Sequence, residues 1–225
     1  MRCHYFKILI SCIISLFIVS SLSMKLKAQV IIQNGDHIVL TANVSSTIND
    51  GASNVVIDGN GNTVAGVATG IELSSDVTNV TIENFNIYNC TVGIELNEAS
   101  NITVVNNIIN DSWAPVYAEG WTAGVDARNC SNNTITQNNF TSDVNAISLA
   151  LASRNIIFGN NFTKCSAALI LSYSSNNIIY HNNFFNNEYI LVDEGYVDGS
   201  VLTDGYGVSV NNWDNGYPGG GNNSD

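Results

Sequence analysis

Apolar and polar residues alternate along this chain in blocks that return with a common spacing. Blocks with one plan start at Asn54, Asn79, Asn101, Asn132, Arg154 and Asn176, and three of the five intervals between these starts are 22 residues long. The third position after each start is apolar, and so is the eighth in every block after the first, as Ile82 and Ile87 are in the second block; in the first block Val64 fills the second of these columns. A period in the low twenties without an amphipathic helix predicts a solenoid, because such units bury their apolar side chains only by stacking.

Each block also contains a stretch of period two, which predicts a strand. A small residue at position fourteen is followed by apolar residues one and three places later, as in Gly70-Ile71-Leu73, Gly93-Ile94-Leu96, Gly124-Val125-Ala127 and Ala146-Ile147-Leu149. Between strands Asn recurs, and Asn tolerates left-handed backbone angles in tight turns. We therefore predict an all-β parallel β-helix of six or seven coils with three short strands per coil. A β-sandwich is the alternative, although sandwiches do not show Gly and Asn columns in register.

The first residues predict export. Residues 1–28 place Arg2 and Lys7 before the apolar run 8–19, and we expect cleavage after Ala28, as in a secretory signal peptide. An uncleaved membrane anchor is the alternative, because the apolar stretch approaches the ~18 residues that a membrane span needs. We expect a secreted or cell-surface protein.

The remaining chain divides into three parts. Residues 29–53 are predicted to be an N-terminal cap and first strand, residues 54–197 the repeats, and residues 198–225 a closing segment with a flexible tail. The third block exceeds the usual 22 residues by 9. We place the extra length at residues 111–120 and expect it to project as a loop, since insertions in solenoids often form the binding face.

Charge and cysteine content narrow the classes of partner. Removing residues 1–28 removes four of the seven Lys and Arg and none of the 19 Asp and Glu, which leaves a formal charge of −16. Nucleic acid is excluded as a partner, because phosphate binding needs a basic surface. Cys90 and Cys165 share a column but lie three coils apart, about 14 Å by strand spacing, so we expect no disulfide between them.

Several phrases of the chain resemble a known family. The segments NVVIDGN (residues 54–60), NNIIYHNN (176–183) and NNWDNGYPGGGN (211–222) are similar to the right-handed parallel β-helix repeats of the carbohydrate-binding and sugar-hydrolase superfamily, and more narrowly to NosD-like surface proteins. The resemblance covers roughly residues 35 to 225 and implies a right-handed coil. The namesakes of that family are periplasmic copper-binding proteins that assist the maturation of nitrous oxide reductase. The scaffold also carries lyases, hydrolases and plain binding proteins, so the resemblance leaves the function open.

Acidic residues predict a first candidate site. Strand alternation places Glu72, Glu95 and Asp126 in one outward column on adjacent coils. Carboxylates ~5 Å apart repel each other unless a cation relieves them, and an oxygen-rich row of this kind suits Ca²⁺. A merely solvated acidic face is the alternative. We expect no obligatory cofactor, with Ca²⁺ as the candidate ligand of this row.

Aromatic residues predict a second candidate site. Trp113, Tyr117 and Trp121 lie in or next to the predicted loop, beside Asp111 and Glu119. Aromatic faces with nearby carboxylates suit sugar rings. The alternative is that the two tryptophans cover a strand edge or a gap in the core.

These residues favour a non-catalytic protein that binds extracellular polysaccharide or glycan, cations, or both, as a monomer or as part of a larger surface protein. A polysaccharide hydrolase or lyase is the alternative, with Glu95, Asp126 and Arg128 as catalytic candidates. An Arg among acids is a poor base, which weakens the lyase. A copper-accessory role, as in the family's namesakes, is the third reading. It is weak because the chain after residue 28 has only His37 and His181 and no Met.

Overall fold

The computed structural model of the protein describes residues 37–112, 114–119, 121–122, 126–127, 130–194, 201–202 and 212–213. The predicted signal peptide, residues 1–28, lies outside them. Within the described part, no helix has the length and apolar character that a membrane span requires.

The described residues form short strands joined by tight turns. In chain order the strands are β1 (His37–Val39), β2 (Ile48–Asp50), β3 (Val56–Asp58), β4 (Thr63–Ala65), β5 (Thr69–Leu73), β6 (Thr81–Glu83), β7 (Asn86–Tyr88), β8 (Val92–Asn97), β9 (Thr103–Val105), β10 (Ile108–Asn110), β11 (Ala114–Glu119), β12 (Trp121–Thr122), β13 (Asp126–Ala127), β14 (Thr134–Thr136), β15 (Asn139–Thr141), β16 (Asn145–Ala150), β17 (Ile156–Phe158), β18 (Asn161–Thr163), β19 (Ala167–Ser172), β20 (Ile178–Tyr180), β21 (Asn183–Phe185), β22 (Tyr189–Glu194), β23 (Val201–Leu202) and β24 (Asn212–Trp213).

Three parallel sheets run along the molecule. The first sheet has the order β1-β3-β6-β9-β14-β17-β20-β23, the second β4-β7-β10-β15-β18-β21-β24, and the third β2-β5-β8-β11-β16-β19-β22. Neighbours in each sheet are one block apart in sequence, so the chain winds as a parallel β-helix of about six coils. The predicted all-β solenoid is therefore confirmed. Strands β1 and β2 extend the sheets before the first repeat, and β23 and β24 extend them after the last.

The core is built from the predicted apolar columns. Ile82 pairs with Val104 and Ile87 with Ile109, and all four side chains are fully buried. Later in the eighth-position column, the rings of Phe140, Phe162 and Phe184 stack with centroids 5.0 Å apart. Each coil thus covers the apolar surface of the previous one, which a single coil could not bury.

The column of small residues at position fourteen of the blocks has a steric cause. A Cβ atom added to Gly70 would lie 2.5 Å from the carbonyl oxygen of Gly93 on the next coil. The backbones approach too closely there for a side chain, so glycine is required at position 70.

Asparagine side chains connect the turns of successive coils. Two buried ladders run along the molecule, one formed by Asn107, Asn138, Asn160 and Asn182, the other by Asn133, Asn155 and Asn177. In the first ladder, Asn160 Oδ1 accepts the Asn138 backbone N–H at 3.0 Å, and Asn160 Nδ2 donates to the Ile135 carbonyl at 2.9 Å. The ladders therefore satisfy turn groups that would otherwise be buried without hydrogen bonds.

The third block corrects the predicted register. We aligned Gly124, Val125 and Ala127 with the small and apolar columns, but β11 occupies these positions instead. Val116 pairs with Ile94 of one neighbouring coil and with Ile147 of the other.

The turn before β11 explains this register. The Ser112 N–H donates to Asp143 Oδ1 at 2.8 Å, and the Asp111 N–H donates to the Thr141 carbonyl at 3.1 Å. These bonds hold the turn at the length it has in the next coil, so it cannot contain an insertion. The extra residues follow β11 and carry the antiparallel pair β12–β13, so the predicted placement of the insertion at residues 111–120 is wrong.

A third column of turn residues lies before the strands of the third sheet, and it contains the carboxyl group of Asp143. Asp143 Oδ1 accepts the Ser112 N–H, but Asp143 Oδ2 is buried without a hydrogen-bond partner. Burial raises the pKa of Asp143 from its ordinary 3.8 to about 8, and the nearby Asp111 charge adds to the rise. Asn187 occupies the same column two coils later, and its Nδ2 donates to the Phe162 carbonyl at 2.9 Å. At this ladder position an amide can use both of its polar atoms in hydrogen bonds, whereas the Asp143 carboxyl leaves one oxygen unpaired.

We expect Asn160→Ala to lower the free energy of unfolding by about 3 kcal/mol, because it leaves buried backbone groups of the preceding coil unpaired. The neighbouring Asn161 is the matched control. Its amide donates to Asn139 Oδ1 at 2.7 Å on the exposed surface, so Asn161→Ala should cost less than about 0.5 kcal/mol. Urea denaturation measures both values, and equal losses would contradict the structural role of the buried ladder.

We expect Asp143→Asn to stabilise the protein most at pH 8. The raised pKa means that the folded state holds a proton that the unfolded state releases above its ordinary pKa of 3.8. This contribution to stability is complete below pH 3.8 and is lost up to about pH 8, at roughly 1.4 kcal/mol per pH unit. The variant does not titrate, so its advantage should shrink towards pH 4.

Melting temperatures at pH 4, 6 and 8 test this expectation. Asp76→Asn is the matched control, since Asp76 is exposed and is not among the charges that shift the pKa of Asp143, so its replacement should change stability little. A pH-independent difference between Asp143→Asn and the wild type would show that Asp143 does not titrate as inferred.

Candidate functional site

The outward face of the third sheet carries the first candidate site. Strand pairing aligns the following residues in one row: Asn49, Glu72, Glu95, Tyr117, Ser148, Ile170 and Val192. Glu72 and Glu95 lie opposite each other as predicted. The next position belongs to Tyr117, and the prediction that Asp126 continues this row is wrong, because β11 replaces residues 124–127 in the sheet.

Oxygen atoms dominate the start of this row. Glu72 is exposed, Glu95 is half-buried, and the Thr69 hydroxyl donates to Glu95 Oε2 at 3.4 Å. The Oδ1 atom of Asn49 is buried and has no hydrogen-bond partner among the described residues. Adjacent coils lie ~4.8 Å apart, so the two carboxylates repel each other across the sheet. The row can accept a cation or the hydroxyl groups of a sugar.

The aromatic candidates divide between the sheet and the insertion. The backbone of Tyr117 lies in β11, at the position beside Glu95, and not in a projecting loop. Trp121 lies in β12, which pairs antiparallel with β13, so the chain leaves the sheet as a short hairpin directly after β11. Trp113 lies outside the described residues.

The catalytic candidates are not brought together in the sheet. Asp126 pairs with Thr122 in the hairpin and does not share a strand pair with Glu95. Arg128 lies outside the described residues. The adjacent carboxylates of the described sheet face are therefore Glu72 and Glu95.

A second group of candidate ligands lies on the first sheet. His37 on β1, Asp58 on β3 and Glu83 on β6 each offer one ligand atom, and these three atoms lie within 4.8 Å of one another. Sequence reasoning missed this group because it left residues 29–53 outside the repeat register. The signal was present, since Ile38 aligns with the inward Ile57 and Ile82, which places the flanking residues on the outward side.

The cysteines of the described chain are buried and unpaired, as expected. Burial raises the pKa of Cys130 and of Cys165 to about 12. The Cys130 thiol donates to the Leu96 carbonyl at 3.4 Å inside the coil. Both thiols are fully buried inside the coils, so a metal ion from solvent does not reach them.

Comparison with known proteins identifies the family. No curated protein matches the chain. Among solved structures, endopolygalacturonase I from Stereum purpureum, complexed with two galacturonate, is similar at 13% identity and a TM-score of 0.35, over 71% of this chain and 64% of that enzyme. The chain thus spans less than two thirds of the enzyme's length, and the likeness carries no argument about activity. Residues 15–222 match the family described as periplasmic copper-binding protein (NosD), and the chain belongs to that family.

Proposed function

We propose that this protein is a non-catalytic binding protein outside the cytoplasm, which uses the outward face of the third sheet to bind extracellular carbohydrate. The observation that carries the proposal is the register of β11. This register aligns the backbone of Tyr117 with Glu95, with Glu72 one coil further and the hairpin that contains Trp121 directly after the strand.

This arrangement suits a sugar for two reasons. Aromatic rings pack against the apolar faces of sugars, and carboxylates accept hydrogen bonds from their hydroxyl groups. The sheet also supplies a rigid support, because β5, β8 and β11 are each hydrogen-bonded to a strand on both sides. A preformed face loses little entropy when it binds a ligand.

A cation is the second ligand that we propose for this face. Asn49 Oδ1 and the carboxylates of Glu72 and Glu95 are oxygen donors on three successive coils. Ca²⁺ takes oxygen ligands from carboxylates and amides and keeps waters for the remaining positions. A bound Ca²⁺ would also relieve the repulsion between the two carboxylates.

Catalysis by a polysaccharide hydrolase is the alternative function. Glu72 and Glu95 favour it, because carboxylates on adjacent coils approximate the ~5 Å separation in retaining glycosidases. We prefer binding because Asp126 pairs with Thr122 in the hairpin and does not join this pair in the described sheet. A lyase is weaker still, because its candidate base, Arg128, is an Arg among acids and therefore a poor base.

Location supports an extracellular ligand. The family description names a periplasmic protein, and residues 1–28 have the order of a secretory signal. We expect the exported product to begin near Gln29, as mass spectrometry of the N-terminus would show. An intact Met1 in a soluble cytoplasmic fraction would contradict export.

We expect a Tyr117→Ala, Trp121→Ala double variant to bind its best glycan at least about tenfold more weakly than the wild type, a loss of roughly 1.4 kcal/mol. A glycan array selects the ligand and calorimetry gives the affinity. Phe185→Ala is the matched control, because Phe185 is an exposed aromatic residue of β21 on the second sheet, at 52% exposure. Equal losses in both variants would contradict the assigned face.

The same samples distinguish binding from catalysis. The protein is incubated with pectate, alginate and neutral glucans, with and without Ca²⁺, and both reducing ends and unsaturated products are followed. We expect no products. Activity that disappears in Glu95→Gln would establish the hydrolase instead.

A further inference from the structure

We propose that His37, Asp58 and Glu83 form a binding site for a first-row divalent transition-metal cation such as Zn²⁺ or Cu²⁺. The site lies on the first sheet, so it is separate from the carbohydrate face on the third sheet and does not depend on that proposal.

Three successive strands supply the donors. His37 is exposed, while Asp58 and Glu83 are half-buried, and one ligand atom from each lies within 4.8 Å of the others. Donor atoms ~2.1 Å from a common Zn²⁺ can be at most about 4.2 Å apart. The donor atoms therefore need to approach one another by at most about 0.6 Å, and we assign this movement to His37, the exposed member of the group. Waters would complete the coordination shell, as in other three-ligand sites.

The hydrogen bonds of Asp58 hold its carboxylate in place. Asp58 Oδ1 accepts the Asn60 backbone N–H at 2.7 Å and the Asn84 side-chain amide at 3.0 Å. Asn84 is itself fixed, since its Oδ1 accepts the Asn106 amide at 2.6 Å. Groups that orient a metal ligand in this way reduce the entropy lost on binding.

Charge gives an independent reason for a cation. Asp58 and Glu83 lie directly opposite each other in neighbouring strands, where two negative charges are destabilising. The Lys and Arg of the described part of the chain are Arg154 and Lys164. Both lie in the fifth coil, three coils beyond the coil of Glu83, which is roughly 14 Å away by strand spacing. A cation bound at the pair would remove a repulsion that these basic residues leave in place.

The donor set selects the class of metal. Ca²⁺ prefers six to eight oxygen ligands, whereas an imidazole nitrogen with two carboxylates suits Zn²⁺ or Cu²⁺. Cu⁺ prefers thiolate and thioether ligands, and the described cysteines are buried inside the coils and do not belong to this outward group. The copper named in the family description therefore fits this site as Cu²⁺ and not as Cu⁺.

Calorimetric titration of the exported protein, purified without a polyhistidine tag, with ZnCl₂ or CuSO₄ tests the site. We expect one site that His37→Ala weakens by at least about tenfold. Asn84→Ala removes no ligand and should weaken binding by about tenfold through the orientation of Asp58. His181→Ala is the matched control, because it removes the other histidine of the exported chain and should leave the affinity unchanged.

Two further readouts make the result decisive. Electron paramagnetic resonance of the Cu²⁺ complex should show coupling to one imidazole nitrogen, which disappears in His37→Ala. Glu95→Gln should retain Zn²⁺ binding, which separates this site from the third sheet. The proposal is overturned if the wild type binds neither metal, if His37→Ala titrates like the wild type while folded by circular dichroism, or if Ca²⁺ binds as tightly as Zn²⁺ in the Glu95→Gln variant, which lacks the third-sheet carboxylate pair.

Discussion

The buried asparagine ladders are the interaction on which this β-helix depends. A solenoid turns its backbone three times per coil, and the turn groups that face inward have no strand partner within their own coil. The amides of the ladder around Asn160 provide both the acceptor and the donors that these groups need, one coil at a time. Because a buried unpaired group costs about 1–3 kcal/mol, a coil that lost this register would lose stability at several turns together.

The ladders also determine where the chain can vary. The turn between β10 and β11 is tied to the next coil by Ser112 and Asp143, so it keeps its length. The chain departs from the period after β11, where the β12–β13 hairpin forms, and it returns to the ladder at Asn133. The insertion and the Tyr117 row are consequently adjacent, which gives the third sheet a different surface from the other two.

Two acidic groupings on different sheets have different chemistry. The pair on the third sheet, Glu72 and Glu95, has oxygen neighbours and suits hard cations or hydroxyl groups. The pair on the first sheet, Asp58 and Glu83, has a histidine neighbour and suits a borderline metal. The description of the family to which the chain belongs names copper. His37 is the residue that makes the first sheet the better fit to a metal of that type. The backbone repeats from coil to coil, so single outward side chains give each sheet of the β-helix its own ligand chemistry.

Sequence alone determined the fold, because its columns are local and repeated. Ile82, Ile87 and their equivalents recur at fixed offsets, and only stacked coils bury all of them. Sequence did not determine the register of the third block, since residues 124–127 and the residues of β11 both alternate in polarity. Which of the two segments joins the third sheet depends on the hydrogen bond from Ser112 to Asp143 on another coil. It also did not bring His37 to Asp58 and Glu83, because that contact needs a first strand whose register becomes visible only when β1 pairs with β3. Periodic burial is encoded within one coil, whereas a site made of outward side chains is a property of neighbouring coils, and only the tertiary structure decides which coils are neighbours.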